Sequence, residues 1–285
     1  MAEDDMKVLV IGGTGRVGRM LRRHWDSAPP RDIALTWQAR DGTGDIGWDA
    51  ADGAAALAAH GPVDRVLVLA GVTPAEDADL DQNAVIARTA MTAAAQMGAA
   101  HVLLASSSAV YGTEGALPYT EADTPDPASP YGLAKLEAER AVLDAEDGPP
   151  ACALRIGNVL GADALMLNAV GASAAHPVAL DRFSDGNGPL RSYIGPVTLA
   201  QVLETLLHKG PALPDVLNIG APAPVAMQTL LEASGTPYVT RPAPPDAVQT
   251  ITLDCTSLAR LHSFGSNASS AGAMLDEWRW VRDAA

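Results

Sequence analysis

The stretch Met6-Lys7-Val8-Leu9-Val10-Ile11-Gly12-Gly13-Thr14-Gly15-Arg16-Val17-Gly18 decides the fold of this chain. Met6 to Ile11 is an apolar run closed by glycines, the pattern of a strand buried on both faces. Arg16 to Trp25 then reads as a helix that ends near Pro29-Pro30. The glycines between have separate physical tasks. Gly12 permits a tight turn at positive φ, Gly15 lets the backbone approach a ligand closely, and Gly18 lets the helix pack against the strand. A helix starting there offers unpaired N–H groups and the positive end of its dipole to a phosphate. Gly12, Thr14, Gly15, Arg16, Val17 and Gly18 are therefore expected to form a phosphate-binding turn.

Outward from this turn, strands and helices alternate. Ile33 to Trp37, Asp64 to Leu69, His101 to Ala105 and Cys152 to Arg155 read as strands. Leu80 to Met97 and Tyr131 to Leu143 read as helices, the second following a Pro-rich loop from Pro118 to Pro130. Such alternation implies right-handed βαβ units and a parallel sheet. The expected fold class is α/β, a Rossmann-type doubly wound sheet with a small C-terminal lobe. Residues 1–160 form the nucleotide-binding domain in this reading, with a later contribution from about 193–210, and 161–285 form the lobe. There the pattern loosens to a helix near Thr198 to Leu207, a strand near Val216 to Ile219 and a Pro-rich loop from Pro237 to Pro245.

The bulk composition narrows the function. With 48% hydrophobic residues, the 285-residue chain can bury a sizeable core. A net charge of -15 leaves no basic stripe for nucleic acid and no attraction to anionic membranes. Cys152 and Cys255 are the two cysteines and are not spaced as metal ligands, so no metal site is expected. Two lone cysteines, an acidic start at Met1 to Asp5 and no apolar run of membrane-spanning length point to a cytoplasmic protein.

An acid commonly ends the second strand of such folds and binds the adenosine ribose. Here the segment is Thr36-Trp37-Gln38-Ala39-Arg40-Asp41. Arg40 is placed to pair with a 2′-phosphate, which tips an NAD(P) cofactor toward NADP. Asp41 keeps the ribose role if the strand runs longer. Asp45-Ile46 lies where a carboxylate and an apolar residue would flank the adenine, and Asp49 competes for that place.

Tyr131 and Lys135 stand four apart on one helix face. A lysine ammonium beside a tyrosine favours phenolate, bringing a group that normally titrates near 10 into range for proton transfer. Ser106, Ser107 and Ser108 close a central strand, where a hydroxyl could polarise a substrate oxygen.

Together these segments resemble the extended short-chain dehydrogenase/reductase family of nucleotide-sugar epimerases and dehydratases. The resemblance runs through GGTGRVG (12–18), LAG (69–71), Asn83, SSSAVYG (106–112), YGLAK (131–135), RIGNVLG (155–161), RSYIGPVTLA (191–200) and NIG (218–220). It implies a hydride-transferring enzyme with Ser107, Tyr131 and Lys135 as catalytic residues. It implies Leu69, Ala70 and Gly71 against the cofactor, which Tyr131 and Lys135 also touch. It places Ser108, Tyr111, Asn158 and Arg191 at a small-molecule substrate, a nucleotide sugar or a smaller sugar-like alcohol. It implies a homodimer through the Leu80–Met97 and Tyr131–Leu143 helices. Dehydratases of the family carry an acidic pair after the hydroxyl residue. Ser108 and Ala109 stand here instead, which favours an epimerase, dehydrogenase or reductase. The family's R-D-Y-I-H-V-x-D segment has Ser192, Gly195 and Thr198 in place of Asp, His and Asp. The other reading is a non-catalytic NADP-sensing regulator on the same fold, against which the intact Tyr131 and Lys135 count.

Overall fold

The computed structural model describes residues 5–115 and 117–283. The chain falls into two compact units. The first takes Met1–Gly112, Thr124–Arg155 and Leu203–Leu217, and the second takes Thr113–Asp123, Ile156–Val202 and Asn218–Ala285.

The first unit opens with β1 (Met6–Ile11), α1 (Arg16–Ser27), β2 (Ile33–Ala39), β3 (Ile46–Gly47) and α2 (Ala54–Ala58). It continues with β4 (Arg65–Val68), α3 (Gln82–Gln96), β5 (His101–Ser107), α4 (Pro130–Leu143) and β6 (Ala151–Ile156). The second unit begins with β7 (Asn158–Val159), α5 (Ala164–Val170), β8 (Val178–Arg182), β9 (Leu190–Arg191) and β10 (Tyr193–Ile194). The chain returns to the first unit within α6 (Pro196–Lys209) and leaves it again within β11 (Val216–Ile219). The second unit closes with β12 (Val225–Ala226), α7 (Met227–Ser234), β13 (Tyr238–Pro242), β14 (Thr250–Ile251), α8 (Thr256–Leu261) and α9 (Ala271–Asp283).

A seven-stranded sheet runs in the order β11-β6-β5-β4-β1-β2-β3. β1 pairs in parallel with β2 and β4, β2 with β3, and β4 with β5. Val8, Leu9, Val10 and Ile11 are all fully buried, as a strand covered on both faces requires. α3 and α4 contribute Ala87, Ala90, Met91, Ala94, Ala138 and Val142 to the core on one face. The small alanines let the helices lie close to the strands, so sheet and helix hold the strand ends in fixed positions.

Two sequence expectations change. β2 extends two residues past Trp37, so Gln38 and Ala39 belong to the strand. The stretch Pro237 to Pro245, expected as a loop, contains β13, which pairs in parallel with β8 from Tyr238 opposite Val178 to Pro242 opposite Arg182. Its prolines sit at the ends, leaving the amides of Val239, Thr240 and Arg241 to the ladder, where a missing N–H would matter most.

The departures at 195 and 198 also have a local reason. A Cβ on Gly195 would lie 2.1 Å from Glu277 Oε2. That carboxylate, reaching from α9, accepts from Val197 N at 3.0 Å and Thr198 N at 2.9 Å, while Thr198 Oγ1 donates to its other oxygen at 2.6 Å. Glu277 thus satisfies the first N–H groups of α6 from elsewhere in the chain. Among the described residues no helix is long and apolar enough to cross a membrane.

Candidate active site

The glycine turn adopts the geometry that its spacing requires. Gly12 has φ of +101°, and a Cβ there would lie 2.5 Å from Ala70 N. A Cβ on Gly18 would lie 2.2 Å from Gly12 O, so α1 could not approach the turn with any other residue. α1 follows its N-cap Gly15 with no side-chain cap, and a helix start of this kind offers N–H donors to an anion.

Gly12, Thr14, Gly15, Gln38, Arg40, Trp48, Asp49, Leu69, Ala70 and Gly71 line one cleft of the first unit, together with Ile11, Ala50, Val72, Gln82 and Ile86. Its glycine cradle, helix N-terminus and neighbouring carboxylate fit a dinucleotide. Arg16, Val17 and Gly18 lie outside that lining, with Arg16 donating to Thr73 Oγ1 at 3.1 Å. Asp45 and Ile46 are placed elsewhere too. The carboxylate of Asp45, an exposed residue, accepts from Trp37 N at 2.8 Å, and Ile46 is buried in the core. The cleft holds Asp49 and Ala50 in their place. Asp49 caps the short 3-10 turn Ala50–Asp52, and that capping pattern, an Asp three residues before a second Asp, was the available signal. Arg40 is exposed and stands 3.7 Å from Asp49.

Gln38 was not singled out from the sequence. It is buried, accepts from Gly12 N at 3.0 Å through Oε1, and donates through Nε2 to Trp48 O.

The catalytic candidates converge on the end of β5. Ser129 caps α4 by accepting from Gly132 N at 3.1 Å, and Pro130 occupies the first turn, where its missing N–H costs nothing. This start sets Tyr131 beside Ser107, whose hydrogen bond pulls the phenol pKa down. Burial outweighs that bond and raises the phenol above its ordinary value, with the Arg16 charge also lowering it. Lys135 is not among the groups acting on Tyr131. It lies one turn on, donates to Ala105 O at 3.0 Å, and is brought down to about 8 by burial. A Cβ on Gly71 would lie 2.8 Å from Lys135 Nζ, so the lysine borders the same wall that closes the cleft.

Glu139, a further turn along α4, escaped notice in the sequence. Ser106 Oγ donates to it, and Arg155 binds it with Nε at 3.1 Å and NH2 at 2.8 Å. Tyr111 packs under the Arg155 guanidinium, 4.7 Å from ring centre to Cζ, and is buried. Ser108 is half-buried at the start of the 3-10 turn that Ser107 caps.

In the second unit, Asn158 hydrogen-bonds Tyr193, which donates to Asp163 Oδ1 at 3.3 Å. Arg191 gives NH1 to the carbonyls of Leu190 (2.8 Å) and Gln249 (2.7 Å), and NH2 to that of Val248 (2.8 Å). Among the described residues no group of His, Cys, Asp and Glu could hold a metal ion.

The model of the NAD-dependent epimerase/dehydratase family matches residues 8–220, well over half of the chain. The chain belongs to that family. Solved structures agree on the fold. MoeE5 in complex with UDP-glucuronic acid and NAD is 23% identical, covers 98% of this chain and 100% of its own, and superposes with a TM-score of 0.76. UDP-glucose-4-epimerase from Stenotrophomonas maltophila, with bound NAD and formylated UDP-arabinopyranose, is 19% identical over 98% of both chains, at 0.78. The NDP-hexosamine 5,6-dehydratase TunA is 19% identical over 96% of this chain and 98% of its own, at 0.75. Comparison with curated proteins returns no match. The family model covers both the glycine turn and the Ser107–Tyr131–Lys135 cluster.

Proposed function

We propose that this epimerase/dehydratase-family chain works at a hydroxyl or carbonyl carbon of a nucleotide sugar or smaller sugar-like substrate. Tyr131 acts as the acid/base, Ser107 orients the substrate oxygen, and Lys135 supplies a fixed positive charge. The observation that carries this reading is the convergence of the three on one strand end: Ser107 bonds Tyr131, and Lys135 bonds Ala105 two residues upstream.

A bound dinucleotide supplies the two-electron acceptor for the alcohol carbon. The protein's part is to hold a proton at the Tyr131 oxygen and to place it. Tyr131 takes the proton of a substrate hydroxyl, or returns it to a carbonyl oxygen, while Ser107 Oγ donates to that same oxygen. Burial opposes phenolate, and the Ser107 hydrogen bond and the Arg16 charge favour it.

NAD is the proposed cofactor, since it accompanies the similar structures named above. The NADP preference expected from Arg40 gains no support from them, and Arg40 leans on Asp49. Ser108 and Asn158 remain proposed substrate contacts. Arg191 is proposed to fix the backbone at 190–191 and 248–249, because it donates three hydrogen bonds to carbonyls there. Without the acidic pair after Ser107, an epimerase or dehydrogenase is favoured over a dehydratase. Self-association through α3 and α4 is proposed on their exposed Val85 and Leu133.

Tyr131→Phe tests the mechanism. It keeps the ring and removes the proton, so kcat on any accepted nucleotide sugar should fall by at least about 10²-fold. Unchanged turnover would reject Tyr131 as acid/base. Cofactor retained through purification marks an epimerase; free exchange marks a dehydrogenase.

A further inference from the structure

We propose that Glu139, clamped between Arg155 and Ser106, is a positioning residue that keeps Lys135 charged and seated against β5. This deepens the acid/base reading given above and rests on it.

Three successive residues of β5 each meet one residue of α4. Ser107 meets Tyr131, Ala105 O receives Lys135 Nζ, and Ser106 Oγ donates to Glu139. Tyr131, Lys135 and Glu139 are four apart in turn, so all three lie on one helix face. The first two rungs are soft, each a single bond to a group that must take part in chemistry. The third is stiff. Glu139 and Arg155 are buried, and two guanidinium nitrogens grip the carboxylate.

Glu139 also sets the local charge. The groups around Lys135 are Tyr131 and Glu139 on its own helix, neutral Asn83 on α3 near Gly71, the Ala105 carbonyl on β5, and Arg155 with Tyr111 behind Glu139. Burial disfavours the ammonium, and Glu139 is the charge that opposes this. Arg155 is not among the charges acting on Lys135; its two nitrogens fix where the Glu139 carboxylate lies.

The test reads Lys135 itself. Its ¹³Cε resonance is titrated in the cofactor-free protein, and the pH profile of kcat is measured beside it. Glu139→Gln keeps the side-chain shape and removes the charge. The Lys135 midpoint should fall by about 1 pH unit, and the alkaline limb of kcat should move down with it. Arg155→Gln removes the opposite charge, so the midpoint should hold or rise. A purely structural role would lower activity in both variants and leave the midpoint still. If either single variant fails to fold, the double variant Glu139→Gln/Arg155→Gln decides: the midpoint still falls, because Glu139 is the charge that reaches Lys135. A midpoint unmoved by Glu139→Gln, or in the double variant standing in for it, overturns the proposal. So does a midpoint that Arg155→Gln lowers as far as Glu139→Gln does. The titration needs no turnover, so its failure is distinct from failure of Tyr131 as acid/base.

Discussion

Gly71 stands where the cleft beside the glycine turn and Lys135 share a wall, and Gly71→Ala adds one methyl group there. Its Cβ would lie 2.7 Å from Asn83 Oδ1 and 2.8 Å from Lys135 Nζ. Both are about 0.7 Å inside a normal contact of about 3.5 Å. Neither neighbour is free to retreat. Asn83 accepts from Val72 N at 3.1 Å and donates to Val72 O at 3.0 Å and Leu80 O at 2.9 Å. Lys135 sits 3.0 Å from Ala105 O. A shift of about 0.7 Å would stretch that last bond beyond useful length, and a lost bond to a charged donor costs about 1.5–3 kcal/mol. Overpacking of this kind costs about 1–3 kcal/mol. We expect Gly71→Ala to lose about 2 kcal/mol of stability, lowering Tm by about 3–4 °C for a chain of this size. Turnover should fall by about 10²-fold through misplacement of Lys135. The control is Gly171→Ala, the same chemical change at ordinary backbone angles with no atom within 4 Å. Thermal melts of the two variants with a turnover assay decide the matter. Equal melting temperatures and intact turnover in both would refute the reasoning.

Arg40→Ala should weaken NADPH more than NADH, by about tenfold, since only NADPH carries the 2′-phosphate; equal losses in fluorescence titrations would assign Arg40 to its pairing with Asp49 alone. His101 is buried at the start of β5, its pKa pushed down to about 4 by burial and by the Arg65 charge. The unfolded chain titrates near 6.5, so it binds the extra proton between pH 6.5 and 4, and stability should drop through that window by up to about 3 kcal/mol. Urea unfolding of His101→Gln should lose that slope, and a slope matching the parent's would clear His101. Glu277→Ala leaves the N–H groups of Val197 and Thr198 without their acceptor, and should cost about 1–2 kcal/mol in chemical denaturation; no measurable loss would mean that water caps α6 equally well.

The parts legible in the sequence were those written in short spacing. The glycine turn and the four-residue step from Tyr131 to Lys135 each report a backbone shape or a helix face directly. The parts that stayed hidden depend on contacts distant in sequence. Asp45 and Asp49 are chemically alike, and the register of a two-residue strand at Ile46–Gly47 decides which one faces the cleft. Glu139 looks like a surface charge until β6 brings Arg155 against it, 16 residues on. Arg191 matched a substrate-contacting position, yet its guanidinium donates to carbonyls some 57 and 58 residues away. The loss of an acid at Thr198 made sense only once α9, 79 residues later, supplied Glu277.

Gln38 carries a consequence for how the cleft receives its ligand. One side-chain amide ties the glycine turn, through Gly12 N, to the segment that ends in Asp49, through Trp48 O. A carboxylate at this position could serve only the first of these, because it has no proton to donate. Two walls of the cleft are thereby laced together whether or not a ligand is bound. Their ordering entropy is lost when the chain folds and not when the ligand binds, so the cleft behaves as a rigid mould, and affinity there depends on fit more than on closure.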